Sequence, residues 1–425
     1  MSFVPQGAYW MGDDKNLEDE QPAHFVTVSE LFVDTCEISV DQWDKVVEWA
    51  ILNGYEFSKN QDGVDNWRLR KDGPSWYTVK SASFPMNMIN WYDAVKWCNA
   101  RSEFEGRMPL YFVNFEDRTV YKTGEIDLNS SNVDWAGSGY RLPTEVEWER
   151  FARGDAHKLN YPWGNNIDGS KANYILSGDP FDDAITPLKF FDSSQHIVKT
   201  GNSFGGEDSN PIDTVSKFGL YDLIGNVSEW CWDWYDDVWY AQSESRETDS
   251  RGPTFDRVSR MDKDGLYTRV ARGGNFKSSP DLRNGNELRI AYRGTFLPSI
   301  NVRRLGIRCV RANKDDPLWI RKKAMSGFPN WFYLDWLGYY WQSDNIWIYH
   351  YDFGWVYPDL NGKGSYDNWL FFPKHGWLWT CKYAFPSFYS YSESTWYEYD
   401  TENLELGWFK NQLTEEKIRW GRRYP

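Results

Sequence analysis

Two carboxylates bracket a tight turn in Asp222-Leu-Ile-Gly-Asn-Val-Ser-Glu229. The Gly-Asn step between them lets backbone carbonyls point the same way as the acidic oxygens, and a hard cation that takes roughly six to eight oxygen ligands suits that arrangement. In the plainer alternative, Glu229 pairs with an arginine and Asp222 caps a turn. A second concentration of chemistry-bearing residues runs through Arg272, Asn275, Lys277, Arg283, Arg289 and Arg293. The cations among them either form salt bridges to surplus carboxylates, or the arginines line a groove for an anionic or polyhydroxylated ligand, where planar guanidinium groups bind carboxylate or sulfate by paired hydrogen bonds. The remaining reactive types are scattered. His24, His157, His196, His350 and His375 show no spacing that puts two imidazoles on one metal, and Cys36, Cys98, Cys231, Cys309 and Cys381 contain no CxxC, which excludes a zinc knuckle and a disulfide-dense scaffold.

Composition narrows the partners. Lys+Arg total 47 against 62 Asp+Glu in 425 residues, a formal charge of −15, so no global basic field exists to draw in nucleic acid or an anionic bilayer. Mean hydropathy is −0.70, and no apolar run approaches the ~20 residues needed to span a membrane. The opening Met1-Ser-Phe-Val-Pro-Gln-Gly lacks a basic stretch followed by an apolar one. The chain is therefore cytoplasmic, or it has lost an export signal, which would place it outside the cytoplasm or at the cell surface.

Three segments carry helical signals: 40–53, 90–101 and 144–153. In the third, Thr144 can cap the first turn while Glu147 reaches back to the cap's own N–H. In the second, Asn90 can cap, and Trp91, Ala94, Val95 and Cys98 recur on one inward stripe, which makes Cys98 a core thiol. Between them lie many Gly, Asn and Asp residues and only short alternating runs, so strands are few and loops many.

Aromatic residues mark a boundary. The last 112 residues hold 33 of the 78 Phe, Trp and Tyr. The step coincides with Lys314-Asp-Asp-Pro317, a polar segment of the kind that joins separately packed units. We expect one domain over 1–313, a linker over 314–335 and a module over 336–425. In that module Gly338-Tyr339, Gly354-Trp355, Gly376-Trp377 and Gly407-Trp408 each open a short strand of alternating rings, the pattern of an imperfect β-repeat. Its rings either form the core of a small module or stand exposed as stacking platforms for sugars or quaternary ammonium groups.

Several segments then form one signature in order: Phe3-Val-Pro-Gln-Gly-Ala-Tyr-Trp-Met-Gly12, Glu20-Gln-Pro-Ala-His24, Phe32-Val-Asp-Thr-Cys-Glu37, Asn90-Trp-Tyr-Asp-Ala94, Gly139-Tyr-Arg-Leu-Pro-Thr-Glu-Val-Glu-Trp148, Tyr161-Pro-Trp-Gly-Asn165, Phe218-Gly-Leu-Tyr-Asp-Leu-Ile-Gly-Asn-Val-Ser-Glu-Trp230, Arg272-Gly-Gly274 and Leu305-Gly-Ile-Arg308. Over residues 1–313 they resemble the formylglycine-generating enzyme, or sulfatase-modifying factor, family. The resemblance implies an α+β domain related to the C-type-lectin fold, poor in regular structure and braced by calcium. Asp222 and Glu229 would supply side-chain oxygens to that calcium, Gly225 and Val227 backbone carbonyls. A second site would start at Asn173 and Tyr174, with its other ligands in 175–213.

The family's enzymes oxidise a substrate cysteine with O2 and a copper(I) held by two thiolates, ligands that suit a soft ion. At the corresponding positions stand Ser278 and Arg283, neither of which can hold Cu(I). Cys231 and Cys309 read as inert buried thiols. The sequence thus points to a non-catalytic binding or structural protein, with Arg272, Asn275, Ser278, Arg283 and Arg293 at the ligand site and the aromatic module for anchoring or assembly. Its ligand would be polar or anionic, a glycan or a protein. The competing reading is a divergent oxygenase or sulfatase-modifying enzyme of the same superfamily.

Overall fold

The computed structural model describes residues 1–60, 62–65, 68, 83–156, 158–181, 183–194, 211–258, 265–281, 286–313, 323–325, 328, 330–334, 337–343, 347–358, 368–381, 384–401 and 407–420. The chain forms two compact units, Met1–Phe104 with Pro109–Asn313, and Glu105–Met108 with Lys314–Pro425.

Among the described residues the first unit has three α-helices: α1 (Val40–Leu52), α2 (Trp91–Phe104) and α3 (Glu145–Arg153). All three expected helices form. Thr144 and Glu147 complete the reciprocal cap of α3, and Ser39 with Gln42 does the same for α1. Asn90 Oδ1 accepts the Asp93 N–H at 2.8 Å at the start of α2. That helix is buried nearly all round rather than along one stripe. It can be, because its polar residues are matched inside: Lys96 pairs with Asp93, Arg101 with Asp34, and the Asn99 amide holds the backbone of Leu110, Tyr111 and Tyr121.

Two small sheets frame these helices. One joins Ser2–Val4, Leu31–Val33 and Val310–Ala312, tying the unit's beginning to its end. The other runs in the order Leu305–Gly306, Ser228–Trp234, Arg269–Arg272, Gly294–Phe296. Every residue of Ser228–Trp234 is buried, since helices and loops cover both of its faces. Helix α3 packs against this sheet through Val146, Trp148, Phe151 and Ala152, which share a buried core with Cys231 and Val270, and through ion pairs.

The second unit is a meander of eleven antiparallel strands in chain order, from Lys323–Ala324 to Lys417–Arg419. Strands at Gly338–Gln342, Gly354–Pro358 and Gly376–Thr380 open on the glycines picked out by the sequence. The stretch expected to be linker carries strands Lys323–Ala324 and Trp331–Leu334, both paired into this sheet, so the linker is shorter than 314–335. The alternation divides the rings by face. Tyr340, Phe353, Phe372, Phe388, Tyr397, Phe409 and Trp420 close a buried core with Leu334, Ile348, Val356 and Leu378. On the opposite face, register aligns Trp331, Trp341, Tyr349 and Trp355 across four strands, Tyr357, Phe371 and Trp377 across three, and Trp369, Trp379, Tyr389 and Trp396 across four. On that face Trp355 and Trp377 are 44% and 42% exposed, whereas the rings of the other face form the core.

Candidate binding site

The four-stranded sheet presents Ser228, Ala271 and Phe296 to a cavity of about 390 Å3 that is also lined by Asp19, Tyr235, Asn275, Ser278, Glu287, Tyr292, Arg293 and Arg304. Its floor is set by the turn after Arg272-Gly-Gly274. Gly273 and Gly274 have φ of 90° and 69°, and a Cβ on either would come within 2.8 Å of a carbonyl, that of Leu223 or that of Glu287. Only glycine fits both the dihedrals and the close approach. The turn then holds itself: Asn275 N–H donates to Ser278 Oγ at 3.1 Å, Ser278 N–H to Asn275 O at 2.8 Å, and Asn275 Nδ2 to Ser228 Oγ at 3.0 Å.

Ser278 and Asn275 thus line the cavity. Arg283 lies outside the described residues. The arginines do something else. Arg272 is fully buried and donates to Glu145, Glu149 and the carbonyls of Ala291 and Ile290. Arg293 holds Glu145 through two hydrogen bonds of 2.8 and 2.9 Å, and Arg289 holds Glu20 through two of 2.6 Å. Arg272 and Arg293 are thus engaged in salt bridges to internal carboxylates, as the plainer alternative has it, while Arg293 also lines the cavity. Their role is to lock α3 onto the sheet, with Arg153 on Glu149 completing the cluster. Lys277 likewise pairs with Asp183.

What remains charged at the cavity is different from what the sequence suggested. Among the described residues no ion pair involves Asp19, Glu287 or Arg304. The Asp19 carboxylate accepts the Tyr235 hydroxyl at 2.9 Å, and Arg304 is exposed with its guanidinium 5.5 Å from the Phe296 ring centre. Burial, with Glu287 and Asp19 adding to it, pushes the Tyr292 hydroxyl above its usual range, so it stays a donor. Nothing in the spacing of Asp19, Glu287 and Arg304 marks them as neighbours; they meet only through the fold.

The residues present do not fit copper(I). Ser278 offers a hard hydroxyl oxygen, and no cysteine lines the cavity. Cys231 sits in the buried strand Ser228–Trp234, and Cys309 lies with its sulfur 3.6 Å from that of Cys98, both fully buried. Burial pushes the Cys98 and Cys231 thiols well above the ordinary cysteine value.

Calcium at 222–229 fares no better. Glu229 receives Arg308 Nε on both oxygens at 3.0 Å, Arg308 Nη2 at 2.7 Å and Trp148 Nε1 at 2.7 Å, which fills its lone-pair directions. Asp222 accepts the Lys189 N–H at 2.7 Å, and its carbonyl takes Arg308 Nη2. The loop is built around a guanidinium, whose charge repels a second cation, so Glu229 does not fit the ligand role and the pairing alternative holds. Glu37, which sequence reasoning had not singled out chemically, joins this cluster. Burial first, then Asp222 and Glu229, raises its carboxyl well above the usual range, and burial pushes Asp222 up to about 6. Gly225 and Val227 serve the packing: Gly225 N–H donates to Gly273 O, and Val227 is buried against Phe84, Ile185 and Phe276. Asn173 differs. Its amide donates to Ala184 O at 2.8 Å, while its Oδ1, fully buried, has no hydrogen-bond partner, as a ligand oxygen would. Tyr174 follows it, also buried, and part of 175–213 lies outside the described residues.

Comparison with known proteins agrees with the motifs and this scaffold. The model of the sulfatase-modifying factor enzyme 1-like domain matches residues 1–313. The chain belongs to the sulfatase-modifying factor family. A formylglycine-generating enzyme from Thermomonospora curvata is 31% identical over 339 residues, covering 75% of this chain and 94% of that protein. A serine/threonine-protein kinase pkn1 from Chlamydia caviae is 27% identical over 318 residues, and this chain spans only 38% of the kinase's length. Among solved structures, Treponema denticola variable protein 1 matches with a TM-score of 0.51 at 22% identity, over 73% of this chain and 94% of that one, which shows the shared fold. Family membership leaves activity to be argued from the cavity.

Proposed function

We propose that this member of the sulfatase-modifying factor family is a binding protein: its cavity retains a ligand without oxidising it, and the ring-bearing outer face of the second unit anchors it to a polysaccharide. The observation that carries the first half is the floor of the cavity. Where the resemblance puts a metal-holding thiol, Ser278 Oγ accepts the Asn275 N–H, in a turn with no sulfur near it. Among the described residues no imidazole lines the cavity beside that hydroxyl, which supports a site that binds and orients. The half-exposed rows of indole and phenol rings support the second half, since flat apolar faces flanked by polar edges suit pyranose rings.

Calcium enters this reading at Asn173 and Tyr174, whose amide and carbonyl oxygens would hold the ion. It would supply bracing charge to a fold with little regular structure.

The test is incubation of the full chain with Cu(I), O2 and a cysteine-containing sulfatase peptide, read by mass spectrometry, beside sedimentation with insoluble peptidoglycan. The expected result is an unchanged peptide, with co-sedimentation lost in Trp355→Ala/Trp377→Ala. A mass shift of the peptide would instead establish the divergent oxygenase.

A further inference from the structure

The cavity carries charges of both signs that the protein leaves without ion-pair partners among its described residues, and this says what the ligand must bring. At about 390 Å3 the space lies near the lower end of small-molecule sites, roughly 300–1,000 Å3. Asp19 and Glu287 supply two carboxylates, and the rings of Tyr235 and Tyr292 stand beside them, the combination that attracts an ammonium group through charge and ring quadrupole together. Arg293, the other cation in the wall, makes its ion pair with Glu145 and reaches Asp19 only at the backbone carbonyl, to which it donates at 3.0 Å. Arg304 supplies the opposite charge. Its backbone carbonyl accepts the Ser228 N–H at 2.8 Å, which fixes it next to the hydroxyl floor, and its guanidinium lies over Phe296. Leu17, Ala271 and Phe296 make the wall apolar in between.

Building on the binding reading above, we propose that the cavity takes a small zwitterion whose ammonium group faces Asp19 and Glu287 and whose carboxylate faces Arg304, joined by an apolar body. Among the described residues, a neutral sugar would leave Asp19, Glu287 and Arg304 without ion-pair partners, an anion would face two carboxylates, and a simple amine would leave Arg304 unmatched. Only a ligand with both charges complements the set. No bond is made or broken, so no co-reactant is needed.

Isothermal titration of the full chain with L-norleucine, 6-aminohexanoate, hexanoate, hexylamine and cellobiose tests this. At least one of the two zwitterions should bind about tenfold more tightly than hexanoate, hexylamine or cellobiose, the effect of one charge-assisted contact. Arg304→Gln should reduce that zwitterion to the level of hexylamine, and Glu287→Gln should reduce it toward hexanoate. Both side chains lie at the solvent-facing part of the cavity, and unchanged circular dichroism confirms that the variants fold. Equal binding of the singly charged probes, a preference for cellobiose, silence from all five, or wild-type affinity in both variants would overturn the proposal. Each of those outcomes leaves the non-oxidising reading standing, because that reading fails only if the sulfatase peptide is oxidised.

Discussion

Replacing Arg272 by methionine separates the two roles an arginine in this segment could have. The native guanidinium is fully buried and makes four hydrogen bonds, to Glu149, to Glu145 at 3.2 Å and to the carbonyls of Ala291 and Ile290 at 3.1 and 2.8 Å. Removing one partner of a buried ion pair costs about 3–5 kcal/mol, because the surviving charge is left in a poorly solvating interior. Here Glu149 keeps Arg153 and Glu145 keeps Arg293, so the loss falls near the lower end, about 3 kcal/mol. At ~2–4 °C per kcal/mol for a large domain, Tm drops by roughly 6–12 °C. The sign of the pH dependence follows from Glu149. Burial raises its carboxyl, but Arg153 and Arg272 outweigh burial and hold it below its usual value. A depressed carboxyl stabilises the fold above its unfolded pKa and loses that contribution as pH falls through the folded one. The gap between wild type and Arg272→Met, measured by equilibrium urea unfolding, should therefore be full at pH 7 and narrow in acid. A variant within about 1 kcal/mol of wild type at pH 7, the range of an exposed pair, that had lost ligand binding instead would refute the structural reading and restore the arginine groove.

His350 is fully buried, with Nε2 2.7 Å from Leu337 O and Nδ1 accepting the Asp352 N–H, so the neutral imidazole is the form that fits; burial lowers its pKa from 6.5 to about 4. That contribution is complete above pH 6.5 and lost as pH falls toward 4, about 3 kcal/mol in all, and histidine NMR should show one ring that does not titrate near 6.5. If calcium binds at Asn173, adding it to chelator-treated protein raises Tm and Asn173→Leu abolishes the gain; an unchanged Tm in the wild type removes calcium from the scheme. All five thiols are free, burial pushes Cys36 up to about 11, and Cys98 and Cys231 stand well above 9. A disulfide-exchange reagent at pH 8 should thus react slowly with native protein and count five thiols in denaturant, and rapid modification of Cys231 would show that it is not a core residue.

Local rules made the helices legible: Thr144 with Glu147 and Asn90 with Asp93 write their caps within four residues, and the glycine-ring pairs of the tail announce strands that the register then aligns. The partners of charges were not legible, because they are long-range. Glu20 meets Arg289 across 269 residues and Arg293 meets Glu145 across 148. A run of arginines looks the same in sequence whether it faces solvent or internal carboxylates. Glu229 was misplaced for the same reason: its turn geometry is that of an oxygen cage, and only the arrival of Arg308, 79 residues on, turns it into half of an ion pair. The site's own charges escaped notice because Asp19, Glu287 and Arg304 share no spacing at all.

The separation between these two sets of charges bears on how such a fold can change its chemistry. The groups that hold α3 and the sheet together, Arg272, Arg293 and Arg308 with Glu145, Glu149 and Glu229, are buried and matched, so altering any one removes a buried ion pair. The groups that face the cavity, Ser278, Glu287 and Arg304, make few internal contacts; the Ser278 hydroxyl touches only the turn that carries it. A thiol exchanged for a hydroxyl at that position disturbs one hydrogen bond and no ion pair. The scaffold can therefore be read from motifs that belong to its internal charge network, whereas function has to be read from residues that the network does not constrain, and Ser278, which stands where the resemblance puts a thiol, is one of these.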